Sequence, residues 1–207
     1  MQQPTINEEL IEACLAGDRR AQRALYDLSL PRLRYLAERY LFDGGERADA
    51  LQESYLRIFK HLDRFDGERA GFLTWAGRIT INVCLRRNAR HEDRNDGQIE
   101  DLLTDAVAPE PGPLRQLTDA ELLIWLRRMP HAYYVVFNLH AVDGYGYAEV
   151  ARLLGITPEL ARQRFSRARA WLRKDIARNG AGPLSPGGPV RRDALVIPIL
   201  LALQSII

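Results

Sequence analysis

Arginine, glutamine and serine recur on one side of the segment Gly146–Lys174, and the pattern reads as a helix-turn-helix. Tyr147, Val150 and Leu154 fall at helical spacing, and Glu149 stands three residues after Gly146, a permissible N-cap. Gly155 ends that helix. Thr157-Pro158-Glu159 starts the next with a hydroxyl cap, a proline where no amide donor is missed, and a carboxylate at the positive helix end. Ala161, Phe165, Ala168 and Leu172 then form a narrow apolar stripe. Away from it stand Arg162, Gln163, Ser166 and Arg167 in the first two turns, with Arg173 and Lys174 further on. A short helix anchored by its apolar side and presenting guanidinium and amide groups has what reading a DNA major groove requires. A solvated basic surface on an ordinary helix pair is the plainer alternative; the tight turn and one-sided arginine favour DNA.

The elements that must position these groups follow from periodicity and charge. Strand signals are nearly absent and helical periodicity runs almost throughout, so an all-α chain is expected, built as two small helical domains joined by a flexible acidic linker. The first domain, residues 7–90, is expected to hold helices at Glu8–Ala16, Arg20–Leu28, Pro31–Tyr40 and Arg47–Leu62, with a turn at Phe42-Asp43-Gly44-Gly45. Leu51, Tyr55, Ile58, Phe59 and Leu62 share one face of the last of these; Asp49, Glu53, Arg57 and Lys60 point the other way, with Gln52 at the edge. A loop, Asp63–Gly71, leads into a helix with Phe72, Trp75, Ile79 and Val83 inward and the polar row Thr74, Arg78, Asn82 on another side.

Charge is nearly balanced overall, 29 basic against 27 acidic residues, but unevenly spread. Residues 91–113 carry seven acids against Arg94 alone and end in Pro109-Glu110-Pro111-Gly112-Pro113, an extended tether or simple solvating linker. The second domain, residues 114–176, is net +4; Leu122, Leu126 and Met129 precede Pro130, and Tyr134, Phe137 and Val142 line the next helix. Residues 177–207 are first Gly/Pro-rich and then apolar; Ala194–Ile207 contains Pro198 and is too short for a membrane span.

Other chemistries find little support. Cys14 and Cys84 sit far apart in apolar helical patterns and read as buried thiols; the four histidines are scattered, so no metal or cofactor is expected. No glycine-rich phosphate loop or nucleophile–base pair is visible, which argues against an enzyme and against a small-molecule substrate. The start MQQPTINEEL lacks the features of an export signal, and a cytoplasmic protein is expected.

Taken in order, these residues resemble the bacterial sigma-70 family, specifically the small extracytoplasmic-function (ECF) type with regions 2 and 4 and little between. Asp49-Ala50-Leu51-Gln52-Glu53-Ser54-Tyr55-Leu56-Arg57 resembles the polymerase-binding helix. Leu62-Asp63-Arg64-Phe65-Asp66, continuing through Phe72 to Asn82, resembles the promoter-melting loop and helix. Met129-Pro130, Val136-Phe137, Glu149-Val150-Ala151, Leu154-Gly155-Ile156 and Arg162 to Arg169 resemble region 4. Each string is weak alone; together, at family spacing over residues 10–176, they are specific. The chain departs from the family at Arg47, Ala48, Gly146 and Glu159-Leu160. A carboxylate at Glu159 repels a nearby phosphate, which is expected to alter docking angle or promoter preference.

The resemblance implies a sigma factor that binds RNA polymerase core enzyme and directs promoter recognition, melting and initiation. Asp49, Gln52, Glu53 and Arg57 would dock on the polymerase. Arg64 and Phe65 would meet melted single-stranded DNA, with Thr74, Arg78 and Asn82 alongside; Phe65 could equally pack in the core, and packing is the favoured reading for Trp75. Arg162, Gln163, Ser166 and Arg167 would read the upstream promoter duplex, and Arg164, Arg169, Arg173 and Lys174 would hold phosphates. Arg169 and Arg173 could instead form salt bridges within the domain. An anti-sigma protein is a further implied partner. The rival reading is a stand-alone helix-turn-helix regulator.

Overall fold

Carboxylate and amide caps decide where the helices of the N-terminal half begin. In the computed structural model, which describes residues 5–92 and 125–178, Asn7 Oδ1 accepts from the Leu10 amide at 3.1 Å and opens α1 (Glu8–Leu15). Asp18 accepts from the Arg20 amide at 2.8 Å and opens α2 (Arg19–Tyr40). Asp43 accepts from the Glu46 amide at 2.9 Å and opens α3 (Gly44–Lys60). α3 therefore starts inside the expected Phe42–Gly45 turn, before Arg47. A Cβ on Gly45 would lie 3.2 Å from the capping Asp43 oxygen, so the glycine leaves that carboxylate room to swing over the helix end.

A second difference is that α2 does not break at Pro31, where two helices are expected. Proline inside a helix costs about 3 kcal/mol through a lost hydrogen bond and a ring clash. Pro31 faces solvent, while Leu25 and Leu33 on either side are fully buried, and burying one such side chain contributes about 1.5–3 kcal/mol. Ser29 adds a buried hydrogen bond across to Tyr55 at 2.9 Å. Tertiary packing wins.

After α3 a short 3-10 turn, Leu62–Arg64, leads to α4 (Phe72–Glu92), which packs on both α2 and α3. Gly77 makes that approach close: a Cβ there would stand 3.1 Å from Leu36 Cδ1. Arg39, on the inward side of α2, is fully buried, its guanidinium 5.6 Å and 5.2 Å from the Tyr35 and Tyr40 ring centres. Both cysteines are buried thiols, and burial pushes Cys84 up to about 12.

The second unit begins, among described residues, with the end of a helix at 125–126, followed by α5 (His131–Phe137). α5 widens into a π-type turn at Asn138–Val142, so that Tyr134 to Leu139 form an unbroken buried run and Val142 is only half-buried. α6 (Tyr147–Leu154), Gly155 at φ +65° and α7 (Pro158–Arg178) complete it, with α5 and α6 both packed on α7. The chain divides into two compact units, Met1–Asp96 and Gly97–Ile207. All regular elements among the described residues are helical. Residues 93–124, with most of the acidic tether and Leu122, and the tail from 179 onward lie outside the described residues; 91 and 92 belong to α4.

Candidate nucleic-acid and protein interfaces

The helix-turn-helix is built from reciprocal caps and one aromatic cluster. Gly146 has no side chain to cap with, so only the return bond forms: the Glu149 carboxylate accepts from the Gly146 amide at 3.1 Å. Thr157 Oγ1 accepts from the Leu160 amide at 3.1 Å and starts α7. Ala161, Ala168 and Leu172 are buried beneath α7 and Phe165 is half-buried. Phe165 stands 6.2 Å from Phe137 and 4.8 Å from His140, edge-on to the latter. His140 in turn stacks on Tyr147 at 4.1 Å, and its Nδ1 is 2.7 Å from the Tyr145 carbonyl.

On this base Arg162, Gln163, Ser166 and Arg167 are all exposed, on the side expected from the sequence. Arg162 is held at its head group: its guanidinium lies 5.6 Å from the Tyr147 ring centre, and Nη1 is 3.3 Å from Glu159 Oε1. Burial pushes the Tyr147 phenol up, opposed by the charges of Arg169 and Arg162. A backbone amide at the helix start holds the Glu159 carboxyl below its ordinary range; burial opposes, and Arg162 and Thr157 assist. Of the four expected phosphate contacts, Arg173 and Lys174 are exposed, whereas Arg164 and Arg169 are half-buried. Arg169 and Arg173 each already have an interaction within the protein.

In the first unit, the loop after α3 folds over the start of α4. Phe65 sits 5.6 Å from Phe72 and 5.5 Å from Trp75. Phe72 is buried, while Phe65 and Trp75 are half-buried, so Phe65 is both packed and partly open to solvent. Arg64 is exposed on the 3-10 turn; Thr74 and Arg78 are exposed along α4, and Asn82 is half-buried two turns beyond Thr74.

The outward face of α3 is more constrained than a solvated charged face. Asp49 and Gln52 are exposed, but Glu53 and Arg57 are half-buried. Glu53 is partly covered because α4 carries Arg87 against it. The Arg87 side chain is 19% exposed, and its guanidinium lies 2.9 Å from Glu46, 3.3 Å from Glu53 and 3.6 Å from Asp49. Glu53 also accepts from Arg57 at 2.8 Å and 3.1 Å. Burial pushes the Glu53 carboxyl up, yet Arg57 and Arg87 together hold it below the usual range. Burial likewise pulls Arg87 down, and Glu46 and Glu53 overcome it. Leu56 stands 67% exposed on the same helix, an apolar side chain on a polar face. Spacing does not reveal the roles of Arg87, Leu56 or His140, nor the support that Tyr147 gives Arg162. Leu56 has a sequence signal, since it interrupts a charged face, whereas Arg87 acts through partners distant in the chain.

No group of three or more His, Cys, Asp or Glu among the described residues could hold a metal ion, and no helix there is long and apolar enough to cross a membrane. Comparison with known proteins places both units. Residues 25–94 match Sigma-70 region 2 and residues 125–172 match Sigma-70, region 4. The RNA polymerase sigma-H factor of Pseudomonas aeruginosa is 27% identical over 181 residues, covering 82% of this chain and 93% of that protein. The ECF RNA polymerase sigma-E factor of Escherichia coli is 24% identical over 180 residues, with the same shares covered, 82% and 93%. Among solved structures, the sigma factor RpoE of Bartonella quintana, in complex with the anti-sigma factor NepR, shares the fold with TM-score 0.50 and 19% identity, covering 75% of this chain and 96% of that one. With both region matches in the same order as its two helical units, the chain belongs to the extracytoplasmic-function group of the sigma-70 family.

Proposed function

We propose that this RNA polymerase sigma factor divides its work between its two units: residues 7–90 engage the core enzyme and the opened strand, and residues 114–176 read closed upstream duplex. The observation that carries this reading is the presence of both region matches, 25–94 and 125–172, in one chain. A stand-alone helix-turn-helix regulator needs only the second.

In the second unit, Arg162, Gln163, Ser166 and Arg167 enter the major groove, where a bidentate arginine–guanine contact is worth about 1–3 kcal/mol of discrimination. Arg173 and Lys174 grip phosphates, with Arg164 and Arg169 reinforcing the helix flank. In the first unit, Phe65 offers its open side to an extruded base, while Arg64, Thr74, Arg78 and Asn82 line the path of the strand. Asp49, Gln52, Glu53 and Arg57 face the polymerase core, and the acidic residues 91–113 thread toward its RNA path. The protein is a non-catalytic subunit, since bond formation belongs to the polymerase, and it works in the cytoplasm where that enzyme acts. An inhibitory anti-sigma protein, of the kind bound by the Bartonella RpoE, is a further partner.

Run-off transcription with purified core enzyme over a genomic library tests the reading. Initiation at a defined set of promoters, dependent on this chain, is expected. Initiation nowhere, or tight duplex binding by the free protein without polymerase, overturns it in favour of the stand-alone regulator.

A further inference from the structure

We infer that Glu159 is a second specificity residue beside Arg162, and that the two select a cytosine and a guanine at neighbouring base pairs of the upstream promoter element. The inference rests on the duplex-reading role proposed for α7. Glu159 occupies the first turn of that helix with its side chain 75% exposed, and Arg162, one turn later, is 57% exposed on the same side. Three residues of helix span roughly 4.5 Å, close to the roughly 3.4 Å between successive base pairs, so the pair reaches adjacent steps.

The chemistry of the pair then limits what each can meet. The Glu159 carboxyl is held below its ordinary range, so it enters the groove as an acceptor only. It repels phosphate, guanine O6 and guanine N7, and its favourable partner on a base edge is the cytosine amino group. Arg162 is donor only and suits guanine. Tyr147 supports the guanidinium from the first helix of the motif, and His140, stacked on Tyr147 at 4.1 Å, fixes that ring. The 3.3 Å Glu159–Arg162 contact shows that both groups lie on one side of α7, while Tyr147 orients Arg162 independently of it.

The same contact is too weak to act as a latch. Exposed pairs of this kind contribute well under one bidentate base contact, so guanine displaces it. A carboxylate in the first helical turn also complements the helix dipole, which is the purely structural account of Glu159. That account predicts a change in stability and none in base preference.

Selection of randomised upstream elements by the reconstituted holoenzyme separates the two. The full-length chain is expected to enrich a cytosine beside a guanine. Glu159→Gln is expected to exchange the cytosine for adenine, because an amide can bond both N6 and N7 of that base. Glu159→Ala is expected to lose about tenfold in preference at that position and leave the guanine untouched. Arg162→Ala should lose the guanine. Unchanged enrichment in both Glu159 variants, or a uniform loss at all positions, overturns the inference. If wild-type holoenzyme initiates at no sequence, the duplex-reading role fails and this inference with it; initiation with unaltered preferences sinks this inference alone.

Discussion

The two helical units handle charge in opposite ways. In the first, the cations on and behind α3 and in the core are tied down: Arg87 is clasped by Glu46, Asp49 and Glu53, Arg57 is bonded to Glu53, and Arg39 is buried against two tyrosines. In the second, Arg162, Gln163, Ser166 and Arg167 stand exposed on a helix anchored by Phe165, His140 and Tyr147 from beneath. A fixed charge pattern suits docking on a folded protein surface, where register must be set in advance. Extended cations over a rigid base suit DNA, whose phosphates attract them and whose base edges then select among them. The contrast implies that substitutions in one unit should change what the other does not.

The largest separation should come from paired variants. Arg162→Ala is expected to reduce initiation at cognate promoters by about 10- to 100-fold, as loss of one bidentate base contact implies, with core-enzyme binding unchanged. Asp49→Ala with Glu53→Ala is expected to do the reverse, weakening co-purification with core enzyme while leaving duplex preference intact. If Arg162→Ala abolished core binding, the division between the units would be lost.

Arg87→Ala comes next. It leaves half-buried Glu46 and Glu53 facing each other without their shared cation, at an expected cost of about 1–2 kcal/mol; exposed Asp49 adds little. The pH dependence has a definite sign. The folded state lowers the Glu53 carboxyl below its ordinary 4.5, so its stabilisation is fully present above 4.5 and lost as pH falls through the lower folded value. Acid titration of stability should thus be steeper below 4.5 in the wild type than in Arg87→Ala. Equal slopes would show that Arg87 does not set the charge state of α3.

These contacts also mark the boundary of what is legible from sequence. The turn at Gly155, the Thr157 cap and the outward set on α7 depend on residues within a few positions of one another, and spacing reveals them. The Arg87–Glu46 contact joins residues 41 apart, and the Arg87–Glu53 contact joins residues 34 apart; no periodicity encodes either. Pro31 reads locally as a helix break, and only the burial of Leu25 and Leu33 reverses it. The π-type turn after Phe137 likewise answers to packing against α6, and to the His140 ring against Phe165, rather than to a turn residue. Local chemistry therefore exposed the helix-turn-helix unit well and the α1–α4 unit less well.

Gly77→Ala probes how tightly the first unit is packed. Alanine gains about 1 kcal/mol of helix propensity over glycine. Against that, the new Cβ would stand 3.1 Å from Leu36 Cδ1, and Leu36 is only 2% exposed, with little room to retreat. Overpacking of this kind costs about 1–3 kcal/mol, so a net loss of about 1 kcal/mol is expected. Urea denaturation of the full chain, read at the first unit's transition, checks it. A net gain would mean that α2 and α4 yield easily and that the charged face of α3 rests on a softer base than its ion pairs suggest.

The smallest effect should appear at Gly146, where the second unit lacks what α1, α2 and α3 all have, a side chain capping the helix start. Gly146 lies at φ −67° and ψ 155°, a conformation serine adopts without strain, and an added Cβ would meet only Glu149 Oε2 at 3.7 Å. Gly146→Ser would complete the capping box whose return half already exists, adding a few tenths of a kcal/mol, with a similar gain from a less flexible unfolded chain. About 0.5 kcal/mol in all should slow hydrogen exchange of the α6 amides by about twofold and leave those of α3 unchanged. Because α6 carries Tyr147 and Tyr147 supports Arg162, the variant should also tighten upstream duplex preference slightly without touching core binding. A change in core binding instead would show that the two units communicate through their folds, and the contrast in how they hold charge would then describe one coupled device rather than two independent ones.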